Sequence, residues 1–170
     1  MALPFRPAYV EGGGTASTRH YVVKSGESFV EGAPLTINAG EVDELDTDDV
    51  TLIVGVAGAA DESAFGYDMG DSDGAVVTGR ANTAPVFVAG RDVVFIGQLS
   101  NGTTSLVVPD AANVGTAYGV IRQSDGSWTV DEADTTNDVV TVIGFKTQGP
   151  ECSDAYGLVY FKFLQSTLYA

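Results

Sequence analysis

The strongest candidate for metal chemistry in this sequence is Asp68-Met69-Gly70-Asp71-Ser72-Asp73-Gly74, where closely spaced carboxylates lead into a glycine. The helix–loop–helix calcium pattern needs an acid two residues before Asp71 and a closing glutamate. Met69 and Arg80 stand there instead, so a solvated loop is expected. The second acidic stretch (Glu41, Asp43, Glu44, Asp46, Asp48, Asp49) reads as a wet turn, because like charges in a row repel. His20 is the only histidine. Beside the run Gly12-Gly13-Gly14 it is poorly held for general-base work. Cys152 is the only cysteine, which leaves no internal disulfide and no cysteine-rich zinc site. Its neighbours Glu151 and Asp154 also disfavour a thiolate. The glycine run lacks a strand before it and a P-loop lysine after it, so it is no phosphate cradle. Trp128, next to the turn Ser124-Asp125-Gly126, has two readings: a platform for a sugar ring, or a plug for a barrel end or subunit interface. Paired carboxylates for glycosidic cleavage stay open, since sequence does not reveal their separation. No enzyme motif emerges, and no cofactor is expected.

These side chains sit on a chain of 170 residues and 17.6 kDa, of which 44% are hydrophobic and 18% charged. A compact chain of this mass hides roughly two-thirds of its unfolded surface, enough for one domain with a real core. Eight Lys and Arg stand against twenty-three Asp and Glu, giving a formal charge of −15. A field of that sign repels phosphate backbones and anionic bilayers, so neither nucleic acid nor membrane is an expected partner. The opening Met1 to Pro7 has no apolar core of signal-peptide length, and the apolar stretch 50–60 is too short to cross a bilayer. The expectation is a soluble protein made in a reducing cytoplasm. Asn101-Gly102-Thr103 fits a glycosylation sequon and is read as a turn.

Residues 1–20 hold Pro4, Pro7 and the three glycines, and read as a flexible N-terminal arm. Arg6 and Arg19 against Glu11 make the arm +1. Residues 21–170 carry six basic and twenty-two acidic groups, or −16. From Tyr21 onward the pattern is strand and turn. A hairpin is expected over 21–30, then strands at 34–37, 51–57, 75–78, 85–89, 93–99, 105–108, 118–122, 128–130, 139–145 and 158–164. Turn signals such as Asn38-Ala39-Gly40, Asp73-Gly74, Asn101-Gly102 and Asp125-Gly126 fall between them. No window sustains a helical period; only 59–65 and 109–113 offer a turn or two. The fold class expected is all-β: a short-stranded antiparallel barrel or sandwich, β-tulip-like, with an extended arm and little helix. Two subdomains meeting near 66–84 are an open possibility. The last strand, apolar on both faces, must lie centrally in a packed sheet or be covered by a partner subunit.

The run Val23-Lys24-Ser25-Gly26-Glu27-Ser28-Phe29-Val30-Glu31-Gly32-Ala33-Pro34-Leu35, followed by Leu52 to Ala60, resembles the tailed-phage capsid decoration (cement) proteins. Tyr118 to Ile121, Gly126 to Asp131 and Val140 to Phe145 fit the barrel half of that family. The resemblance implies a non-enzymatic virion protein, a homotrimer on the outer capsid surface, clamping adjacent subunits of the major capsid protein. In that setting Phe5, Arg6, Tyr9, Arg19 and His20 of the arm would contact the capsid, the cations meeting its carboxylates. Val159, Phe161 and Phe163 would lie in a subunit interface. The stretch 61–80 departs from the resemblance. The rival readings are a receptor- or carbohydrate-binding β-module of a virion or cell surface, using Trp128, Tyr118 and the Asp68–Asp73 loop, and a small trimeric nucleotide hydrolase.

Overall fold

The computed structural model describes residues 2–46, 51–58, 83–102, 105–146 and 157–169. The expected strand at 75–78, the turn at 59–65, the Asp68–Asp73 loop and Cys152 lie outside them. The described residues form an all-β protein with a single 3-10 turn, Ala111–Asn113. That turn falls where a short helical turn is expected, and Asp110 and Asn113 cap it reciprocally.

Strands β2 (Thr18–Val23), β3 (Pro34–Asn38), β4 (Glu41–Glu44), β5 (Ile53–Ala57) and β6 (Thr83–Val88) close into a small barrel in the order β2-β4-β3-β5-β6. Its tightest connection is the β3–β4 hairpin. Asn38 pairs with Glu41 across the two residues Ala39 and Gly40, both at positive φ (52° and 89°). That twist matches the strands it joins. β4 corrects the sequence reading, in which Glu41 to Glu44 belong to a wet turn. Val42 is fully buried, Glu41 is exposed, and Asp43 and Glu44 are half-buried against partners of their own, so strand pairing outweighs the charge. The hairpin expected over 21–30 is also corrected. The chain does turn at Ser25-Gly26, but 27–33 runs on as a loop, and β2 pairs instead with β6 and, in parallel, with β4.

The second unit is built around β7 (Val93–Asn101), with β8 (Ser105–Leu106), β9 (Ala117–Arg122), β10 (Trp128–Asp131), β11 (Val140–Phe145) and β12 (Leu158–Phe163). Pairing runs β7-β10-β9-β11-β12 and returns from β12 to β7, so this path closes on itself too. The β7–β10 pair is parallel and the rest of the path is antiparallel. Phe95 on β7 faces Phe161 on β12. Around Phe161 stand Phe5, Phe95 and Phe163, with ring centroids 4.9, 6.0 and 5.8 Å away, in edge-to-face or stacked geometry.

The N-terminal arm is the main correction. Residues 6–10 form β1 (Arg6–Val10), antiparallel to β7 from Arg6↔Ile96 to Val10↔Val93, with a bulge between Pro7 and Tyr9. Proline cannot donate to a ladder, and the strand that carries it here pairs with β7 alone among the described residues. Thr18 to His20, assigned to the arm from sequence, begin β2. The glycine run, all at φ near +90°, carries the chain from the second unit into the first. The passage back comes between β6 and β7, over residues 89–92, while the stretch near 66–84 lies almost wholly outside the described residues.

The two units share one apolar core. The chain also ties them together at its two ends. Phe5 and Pro4 press on Gly32, a first-barrel loop residue. After β12 the chain returns to β5: Ile53 N–H donates to the Thr167 carbonyl at 2.8 Å, and Tyr169 N–H to the Ile53 carbonyl at 2.8 Å.

Candidate docking surface

The residues expected to contact a partner divide sharply by burial. Phe5 is 1% exposed and belongs to the aromatic core, so its place in a capsid contact is corrected. Val159, Phe161 and Phe163 are likewise buried within their own chain, between β7 and β11. The two-faced strand is therefore of the central kind, and no second subunit is needed to cover these three side chains.

Arg6, Tyr9, Arg19 and His20 remain on the surface. Arg6 lies on β1 opposite Ile96. Arg19 and His20 lie on β2 opposite Val86 and Pro85. Tyr9 is 48% exposed, its ring 6.2 Å from that of Tyr160. One limb of chain, from β1 through the glycine run to β2, thus holds all four on paired strands in both units.

Most of the other described cations are engaged. Lys24 pairs with Asp43 and Glu27, Arg122 with Glu44, and Lys162 with Glu11, while Arg91 donates to Gln165. Arg6, Arg19 and His20 have no ion pair among the described residues.

The remaining polar clusters are occupied by structure. At the joint between the units, Glu44 on β4 accepts from Trp128 Nε1 at 2.8 Å, and the Arg122 guanidinium lies 3.2 Å from the same oxygen. Trp128 is buried here, and Tyr118 is buried against Asn113, so neither face is open to a sugar. Burial raises the Glu44 carboxyl above the usual glutamate range. The Trp128 hydrogen bond and Arg122 offset this in part, and Glu27 adds to it. Asp43 behaves oppositely: burial pushes it up, but hydrogen bonds from Lys24 and Thr36 outweigh this and lower it. An open groove of about 290 Å³ runs past Asp43, Glu44 and Asp46, with Ile37 and Leu52 on its wall. Its carboxylates are thus engaged within the fold. Among the described residues, no group of three His, Cys, Asp or Glu side chains is placed to hold a metal ion. The Glu44 clasp has no sequence signal, since its partners lie 78 and 84 residues away.

Glu44 gives a prediction with a definite sign. A carboxyl whose folded pKa is raised favours the protonated fold. That contribution is present at acid pH and is lost as pH rises through the raised value. At neutral pH the charge is therefore a net cost. Glu44→Gln, which keeps an oxygen for Trp128, is expected to hold or raise the melting temperature at pH 7, and the gain should vanish at acid pH. Glu44→Ala leaves the buried Trp128 N–H unpaired and is expected to cost about 1–3 kcal/mol. Thermal melts from pH 4 to 7 decide this; a large loss in Glu44→Gln at neutral pH would show the ion pair to be dominant.

Compared with models of known protein families, with curated proteins and with solved structures, the chain matches none of them.

Proposed function

We propose that this chain is a structural virion protein that binds the outer surface of a phage capsid and stabilises it by clamping adjacent major capsid subunits, working as a trimer and making or breaking no bond. The observation that carries this reading is the limb itself, on which Arg6, Arg19 and the exposed His20 make no ion pair among the described residues, in a molecule of formal charge −15. Self-repulsion of the acidic body favours solubility, and the limb supplies the opposite sign to a carboxylate-bearing partner. Support also comes from the resemblance of the 23–35 and 52–60 segments to decoration proteins. Because the limb is held in strands on both units, it docks preformed and loses little entropy on binding.

The test is binding to expanded empty heads. The wild-type protein is expected to bind saturably and more weakly as salt rises. The double variant Arg6→Glu/Arg19→Glu is expected to bind about tenfold or more weakly, each reversed contact costing on the order of 1 kcal/mol. Its melting temperature should be unchanged. Unaltered binding by the double variant would remove the limb as the docking surface. Heads that take up no wild-type protein at micromolar concentration, or a strictly monomeric solution mass, would sink the proposal itself.

A further inference from the structure

Asn101-Gly102 is the one Asn-Gly pair in the sequence, and it is chemically fragile. In a mobile chain the glycine nitrogen, once its proton has passed to solvent base, bonds to the asparagine Cγ. The Cγ–Nδ2 bond then breaks, the side-chain nitrogen leaves as ammonia, and water opens the resulting succinimide to aspartate or isoaspartate. Glycine favours this because no Cβ hinders the approach. Asn101 is exposed at the end of β7, so water reaches it freely.

Both reacting groups are held. Gly102 N–H donates to Asp131 Oδ1 at 2.8 Å, and Asn101 Nδ2 donates to Glu132 Oε1 at 3.3 Å. The carbonyl of Gly102, in the next peptide, is held too, accepting from Gln123 Nε2 at 3.4 Å. The carboxylates are themselves fixed. Asp131 is 5% exposed and also accepts from Ala133 N–H at 3.0 Å, and Asn113 Nδ2 donates to Glu132 Oε2 at 3.3 Å. The Glu132 N–H donates to the Ser100 carbonyl at 2.9 Å, which ties this corner to β7 directly. Asn101 pairs with Ser105 across the β7–β8 ladder, so its backbone is held in a strand.

We propose that Asp131 and Glu132 form a chemical lock that protects Asn101-Gly102 from succinimide formation. Two effects act together. The hydrogen bond must be broken before Gly102 N–H can reach base, and a carboxylate at 2.8 Å opposes the negative charge that develops on that nitrogen. A protein that must stay intact for as long as the particle it covers gains from such a lock, but the inference stands on this corner of the second unit alone and not on the capsid reading.

Peptide mapping by mass spectrometry during incubation at mildly alkaline pH tests it, with native and guanidinium-unfolded protein run side by side. The native protein is expected to convert Asn101 at least about tenfold more slowly than the unfolded chain, the scale of losing one charge-assisted hydrogen bond. Asp131→Asn, which keeps the oxygen and removes the charge, is expected to speed the native reaction several-fold and leave the unfolded rate unchanged. Should that variant lose its fold by circular dichroism, Glu132→Gln carries the same comparison. Equal native and unfolded rates would overturn the lock, as would a native rate that the folded variant leaves unaltered.

Discussion

Phe5→Ala is expected to destabilise the protein by about 3–5 kcal/mol, the usual cost of deleting a buried phenylalanine ring. The ring is 1% exposed, meets Phe161 edge-on at 4.9 Å, and lies directly over Gly97 of β7. No side chain stands at Gly97 to move into the space, and the neighbouring strands are fixed by their ladders, so the cavity should persist. For a chain of this length each kcal/mol moves the melting temperature by roughly 2–4 °C, so a fall of about 6–20 °C is expected. Set against a total stability of about 5–15 kcal/mol, that is a large fraction. Arg6→Ala, one residue along and pointing to solvent, should change stability by less than about 0.5 kcal/mol. Thermal and denaturant melts of the two variants make the comparison. A loss below about 1 kcal/mol for Phe5→Ala would mean that residues 2–10 are a detachable arm after all. The contrast matters for the docking proposal, because it separates a side chain that holds the fold from one free to hold a partner.

This is also where sequence reasoning reached its limit. Pro7 and the glycine run made the first twenty residues resemble a tether, and locally that is the correct reading of those residue types. What β1 gains comes from β7, some ninety positions away, and from the Phe161 ring more than 150 positions away, and neither contact leaves a local mark. Strands that bury one or both faces were legible for the opposite reason. Val93 to Leu99, Val140 to Phe145 and Leu158 to Phe163 announce themselves by β-branched and aromatic content, and turn residues bracket them. The hairpin at Asn38 to Glu41 was legible as a turn because its chemistry is local. The parallel pairs β2–β4 and β7–β10 were not, since nothing within a strand records which neighbour it takes. Of the five residues expected to contact a capsid, Arg6, Tyr9, Arg19 and His20 lie on the surface, while Phe5 is buried, because an apolar residue near a chain end looks the same whether it anchors outward or inward. That Arg6 and Arg19 make no ion pair among the described residues could be learned only once the fold had placed Lys24, Arg122 and Lys162 against their carboxylates.

The second large effect is expected at Gly55, in the middle of β5. Both faces of this strand are buried, and both edges are paired: Gly55 lies opposite Leu35 on β3 and Val88 on β6. A Cβ built there would strike the Phe87 carbonyl oxygen, and would lie 2.9 Å from the Phe87 carbonyl carbon and 3.0 Å from the Ala89 nitrogen. All three are backbone atoms of the neighbouring strand and its continuation, so no rotamer change relieves the collision. The wall itself must open. In a flat sheet the edge strand can slide away, but in a closed five-stranded barrel a displacement of β6 propagates through β2 and β4 back to β3. Overpacking in a rigid interior costs about 1–3 kcal/mol and occasionally more, and the closed geometry argues for the upper end here. Gly90→Ala is the control: its Cβ would meet only Val93 Cγ2, at 3.7 Å, an ordinary contact, and little change is expected. A melting temperature for Gly55→Ala within 2 °C of wild type would show that β5 and β6 can part without cost, and that the first unit is an open sheet in solution and not a closed barrel.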